Sequence, residues 1–129
     1  MPTVTHHTPD TISPPSSAYS HGVQVEGATR WLHVSGQVGL DPSGKLAGDT
    51  AAQMETCWWR IFEILGNAGM TKDDIVKVTA YLTNPDEVGL YRDVRDRLMD
   101  GHQTASTLIV VAGLAHPDWT VEIEVVAAS

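Results

Sequence analysis

The feature that most constrains this chain is a change of hydrophobic period. Between Asp49 and Gly69 apolar residues recur at helical spacing, as Met54, Trp58, Ile61, Phe62 and Leu65. From Ile75 to Thr83 they alternate, with Val76, Val78, Ala80 and Leu82 set against Lys77, Thr79, Tyr81 and Thr83. Side chains return to one face about every 3.6 residues in a helix and every two in a strand. The first segment therefore reads as a long amphipathic helix and the second as a strand. Asp49 or Thr50 is placed to cap the helix start, and Gly66 or Gly69 stands near its end. Beyond the breaker Asn84-Pro85, Asp86 to Asp100 reads as a second helix. It sets Val88, Leu90, Tyr91, Val94 and Leu98 to one side and mostly charged residues to the other.

Strand patterns flank this centre. From Tyr19 to Val38 two β-favouring runs surround the turn-like Glu26-Gly27-Ala28 and predict a hairpin. Asp41-Pro42-Ser43-Gly44 supplies a further turn. Ser106 to Val111 and Thr120 to Ala127 are apolar strands separated by Gly113 and the Ala115-His116-Pro117-Asp118 turn. The order ββαβαββ implies an α+β fold, with two helices covering one face of a mixed sheet. Two helices leave the other face without cover. Trp31, Ile109 and Val126 add apolar area on strands, which points to association of subunits through the sheet. The length of 129 residues fits one domain, expected over residues 16–129, with Met1 to Pro15 as a flexible lead-in.

Charge narrows the classes of function. The net charge of -8, without any Lys/Arg cluster, should repel a phosphate backbone, so nucleic acid is not an expected partner. Cys57 is the only cysteine, which excludes an internal disulfide and suits a reducing compartment. No apolar run reaches the roughly 20 residues of a membrane helix, and Met1 to Pro15 lacks signal-peptide character. The cytoplasm is the default expectation. His6 and His7 lack the further ligands that a metal site requires. No G-x-S-x-G, H-E-x-x-H or C-x-x-C motif and no phosphate-cradling glycine loop is present.

Val34-Ser35-Gly36-Gln37-Val38 followed by Asp41-Pro42-Ser43-Gly44 resembles the SGQ-x-x-x-DP-x-G stretch of the RidA (YjgF) family. Gln53, Ala68-Gly69, Asp74-Ile75-Val76-Lys77-Val78, Tyr81-Leu82 and Val121-Glu122-Ile123-Glu124 follow in register, so the resemblance spans Tyr19 to Ala127. It implies a chorismate-mutase-like α+β fold and a homotrimer with small-molecule clefts between subunits. The implied reaction is cofactor-free hydrolysis of reactive imines and enamines, such as 2-aminoacrylate, to a keto acid and ammonia.

The resemblance also assigns residues. Glu122 matches the glutamate that positions the attacking water, and a carboxylate is suited to accept that water's proton. Tyr19 matches a cleft tyrosine, and Ser35, Gly36 and Gln37 match the cleft-lining stretch. The archetype grips a substrate carboxylate with the arginine of a P-A-R-S/T segment, because a planar guanidinium matches two carboxylate oxygens. Here that segment is Thr104-Ala105-Ser106-Thr107, with Ser106 in place of the arginine and Thr107 as a second hydroxyl beside it. Family asparagines fall on Arg60 and Arg92, and Arg92 is a candidate to lend the missing charge. These departures resemble an arginine-lacking subgroup with a diverged substrate. His21, two residues after Tyr19, is a further candidate for proton transfer. A catalytically silent trimer that binds a small ligand is the alternative expectation.

Overall fold

A computed structural model describes all of residues 1–129. Its strands are β1 (Thr3–His7), β2 (Gly22–Glu26), β3 (Trp31–Gln37), β4 (Ile75–Leu82), β5 (Ala105–Val110) and β6 (Val121–Ala128). The helices are α1 (Thr50–Asn67) and α2 (Val88–Met99), each adjoined by one short 3₁₀ turn, Lys72–Asp74 after α1 and Pro85–Glu87 before α2.

The helix boundaries follow from local chemistry. Asp49 caps α1, its carboxylate accepting from the Ala52 amide at 2.9 Å. The helix ends through Gly69, whose φ of 71° lets the Met70 amide turn back to the Leu65 carbonyl. The face that the periodicity marked is the buried one: Met54, Cys57, Trp58, Ile61 and Leu65 are fully enclosed. Each of the large apolar groups contributes about 1.5–3 kcal/mol by leaving water. Trp59, by contrast, lies on the outer side of α1 and is 45 % exposed. The second helix starts at Val88 rather than Asp86, because Asn84 caps the 3₁₀ turn at Pro85 by accepting from the Asp86 amide.

The main sheet has the order β3-β6-β4-β5, with β4 and β5 parallel and the other pairs antiparallel. Both helices pack on one face, against Val34, Val78, Ala80, Leu82, Val121, Ile123 and Val125. This is the expected α+β arrangement of two helices on a mixed sheet. The opposite face carries Lys77, Thr79 and Tyr81 on β4 beside Glu122, Glu124 and Val126 on β6, with no layer of this chain over it. Trp31 and Ile109 on this face are 54 % and 40 % exposed, while Val126 is half-buried.

Two expectations about the first forty residues need correction. The opening segment, expected as a flexible lead-in, contains a strand, since Thr3–His7 pairs antiparallel with β2 over its whole length. Consecutive on a strand, His6 and His7 point to opposite faces, and they meet Ser20 Oγ and Gln24 Oε1 at 2.6 and 2.7 Å. The two strands of the Tyr19–Val38 segment both form, but they do not make a hairpin with each other. β2 pairs with β1 and β3 with β6. The Ser129 carbonyl accepts from the amides of Thr29 and Arg30, so the chain end occupies the place where the hairpin ladder would begin.

Candidate functional site

The site is built first around a break in strand pairing. β3 and β6 run in register from Trp31 to Val34, then shift before Gln37 meets Ile123, leaving Ser35-Gly36 as an irregularity. The Glu122 side chain lies directly over Gly36. A Cβ on Gly36 would stand 2.1 Å from Glu122 Oε2, so a glycine there is what lets the carboxylate settle against the backbone. Glu122 and Glu124 share the open face of the sheet, yet they differ. Tyr81 donates its hydroxyl to Glu124 Oε1 at 2.6 Å, whereas no protein donor engages Glu122. The Tyr81 hydroxyl is held above its ordinary pKa chiefly by this bond. Gly36, Tyr81, Glu122 and Glu124 line a cleft of about 370 Å³ closed on one side by the 111–115 loop.

A brace holds the irregularity from below. Arg60 of α1 donates from Nε to Gln37 Oε1 and from Nη1 to the Leu40 carbonyl, both at 2.9 Å. The Gln37 amide in turn donates to the Ser35 carbonyl at 3.0 Å, and the Cys57 thiol reaches the Gln37 carbonyl at 3.3 Å. Arg60 is thus committed to the protein and does not lend charge to a ligand. Gln37, predicted as a cleft residue, has its side chain spent on positioning Ser35-Gly36. Burial pushes the Cys57 thiol up to about 12, so it remains protonated beneath the strand.

The remaining predicted residues gather elsewhere. The Ser20 amide donates to the Thr104 carbonyl, which fastens the 16–20 segment beside the start of β5. There Tyr19, Arg92 and Ser106 line a second, smaller cavity of about 160 Å³ together with Ser17 and Arg95. Ser106 pairs with Val78 and so faces the helices, while Thr107 pairs with Thr79 on the open face and accepts from Lys77 Nζ at 2.7 Å. The expectation that Thr107 stands beside Ser106 fails because neighbouring residues of a strand project oppositely. His21 lines neither cavity: its Nε2 meets the Ser13 carbonyl at 2.7 Å and its ring packs edge-on to Tyr19.

Within one chain, then, Gly36 and Glu122 line one cavity and Tyr19, Arg92 and Ser106 another. Tyr81 and Arg95 are among the lining residues that the sequence reading did not single out. Tyr81 shares the parity of Lys77 and Thr79, which would have put it on the face of Glu122. Arg95 lies three residues after Arg92, one helical turn along the same side, and is only 6 % exposed.

Comparison with known proteins agrees with this architecture. The family model described as Endoribonuclease L-PSP matches residues 10–129. A mouse protein named 2-iminobutanoate/2-iminopropanoate deaminase is 34 % identical over 111 residues, covering 84 % of this chain and 79 % of that one. A Lactococcus lactis protein named putative regulator AldR is 32 % identical over 111 residues, covering 84 % and 85 %. The crystal structure of YyfB, a Rid-family protein of unknown function from Yersinia pestis, superimposes with a TM-score of 0.89 at 30 % identity and covers 98 % of each chain. With the fold and these matches agreeing along the chain, the chain belongs to the RidA (YjgF) family.

Proposed function

We propose that this protein hydrolyses small imines or enamines to a carbonyl compound and ammonia, with Glu122 positioning the water. The observation that carries the reading is the Glu122 carboxylate itself. It rests on Gly36 in an open cleft with no protein donor, beside a glutamate that is already satisfied by Tyr81. A carboxylate so placed accepts a proton as water attacks the imine carbon. The C–O bond forms while the C=N electron pair moves onto nitrogen, which is protonated. Collapse of the resulting carbinolamine breaks the C–N bond and releases ammonia, so one water is consumed and no cofactor takes part. The similarity to the mouse deaminase supports this class of reaction.

The two cavities belong, in this proposal, to one composite cleft in a homotrimer. The Gly36–Glu122 side of one subunit would face the Tyr19–Ser106 cavity of the next where that cavity lies along the edge strand β5, with the uncovered sheet face holding the subunits together. The exposed Trp31 and Ile109 on that face support the assembly. The test is to generate imines in situ with amino-acid and amine oxidases and to follow their capture by semicarbazide. The parent should divert imine from the trap, and Glu122→Gln should lose that effect by on the order of 10²-fold or more, as for loss of a general base. A Glu122→Gln protein as active as the parent would remove the mechanism.

A second reading, a trimer that binds a metabolite without turning it over, is favoured by Ser106 in the arginine position and by the similarity to AldR, named a putative regulator. Saturable binding without turnover would establish it. The family model's name points to RNA cleavage, but a net charge of -8 and the absence of any basic groove oppose an RNA partner.

A further inference from the structure

The two cavities differ in charge more than an acidic chain leads one to expect. The Gly36 cleft is lined by two glutamates and no cation. The Tyr19–Ser106 cavity is lined by two arginines, several hydroxyls and no carboxylate. Eight Lys and Arg are spread through the whole sequence, and two of them converge on this one small space. Arg95 is the more unusual. A guanidinium that is only 6 % exposed carries a desolvation cost and persists where its geometry is held and its charge is used. Here Nε donates to Asp96 Oδ1 at 2.9 Å and the guanidinium lies 5.9 Å from the Tyr91 ring centroid. Nη2 has only a long 3.4 Å contact with Ser17 Oγ, and Nη1 has no protein acceptor. The side chain is therefore fixed at one end with Nη1 left open, and it lines both this cavity and a neighbouring one that it shares with Asp96 and His102. Arg92, one turn earlier on α2, enters the same space, and Ser106 leaves room that a longer side chain would fill.

We propose that Arg95 and Arg92 are this protein's carboxylate grip, supplying from α2 the cationic fork that Ser106 cannot provide on β5. The ligand class is a small 2-keto or 2-imino acid, its carboxylate held by the guanidinium edge of Arg95 and by Arg92, with the Ser106 and Tyr19 hydroxyls completing the set. Arg95 is suited to this because two N–H groups along one edge match two carboxylate oxygens. The inference deepens the hydrolase reading and rests on it for the reacting carbon, but anion binding is measured apart from turnover.

The first probe is pyruvate, a product-like keto acid, titrated by calorimetry into the full-length protein beside its neutral amide, pyruvamide, and beside inorganic phosphate. Pyruvate should bind on the order of tenfold or more tighter than pyruvamide and tighter than phosphate. Arg92→Gln and Arg95→Lys should each weaken pyruvate by a similar factor and leave pyruvamide unchanged, since Lys keeps the charge but loses the fork. Arg92 is half-exposed, so Arg92→Gln keeps the test open if the buried Arg95 variant does not fold. The proposal is overturned if pyruvate and pyruvamide bind alike, if phosphate binds tighter, or if a folded arginine variant keeps parental affinity. Arginine-dependent pyruvate binding by a protein without imine hydrolysis would sink the hydrolase reading and leave the grip standing. Hydrolysis without such binding would do the reverse.

Discussion

Two glycines show how one added methyl group separates function from stability. At Gly36 a Cβ would meet the far end of Glu122, which swings away easily; at Gly39 it would meet the Gln53 Cα at 2.7 Å, part of the α1 backbone. Gly36→Ala should therefore leave thermal stability near the parent's while activity in the semicarbazide assay falls about tenfold or more, because the displaced carboxylate no longer addresses the water. Gly39→Ala should instead cost about 1–3 kcal/mol or more in denaturant unfolding, since the helix must shift. Cys57 gives a third expectation. Its thiol is pushed up to about 12 from 9.0 by burial, so in the unfolded chain it ionises first. Its contribution to stability is complete below pH 9.0 and is lost as pH rises toward 12. Denaturant melts across that range should show a shallower alkaline decline for Cys57→Ala than for the parent, and the native thiol should resist thiol reagents at pH 8.

At the level of elements, α1 is more than a cover for the sheet. Its buried polar side chain Gln53 accepts from the Thr120 amide at 3.0 Å and donates to the Asp118 carbonyl, which sets the entry into β6 one residue before Val121. Arg60, seven residues on, fixes Gln37 and the bulge opposite. The helix thus aligns both strands that bring Gly36 and Glu122 together. Removing its cap in Asp49→Ala should cost about 0.5–2 kcal/mol, read as a lower unfolding midpoint with an unchanged denaturant slope. Arg60→Met should act through position alone: hydrolysis should fall with kcat affected more than KM, while pyruvate affinity stays parental. The periodicity of α1 and β4 was legible because apolar residues recur at one spacing throughout. The hairpin reading failed because turn chemistry at Gly27 reports a change of direction, not which strand the next segment will pair with.

The whole molecule has one closed face and one open face. Helices seal the first; the second carries half of the proposed site and the exposed Trp31 and Ile109. If trimerisation covers this face, the protein should elute and scatter light as a trimer. Placing charges there in a Trp31→Glu, Ile109→Glu double variant should yield folded monomers without hydrolase activity. A monomeric parent that retains full activity would refute the composite cleft.

Composition, period and motif register determined a great deal by themselves: the α+β class, the buried stripe of α1, the strand at Ile75 and the family resemblance. These are properties of local repetition and of residues near one another in the chain. Only the tertiary structure decided that Thr3–His7 is a strand, that Ser106 and Thr107 part to opposite faces, that Arg60 is consumed by a brace, and that Arg95 is buried beside Arg92. Each depends on what the rest of the chain lays against a residue. A charge on a helix looks solvated in sequence, and only the tertiary structure sets Arg92 and Arg95 beside Ser17, Tyr19 and Ser106 around one cavity.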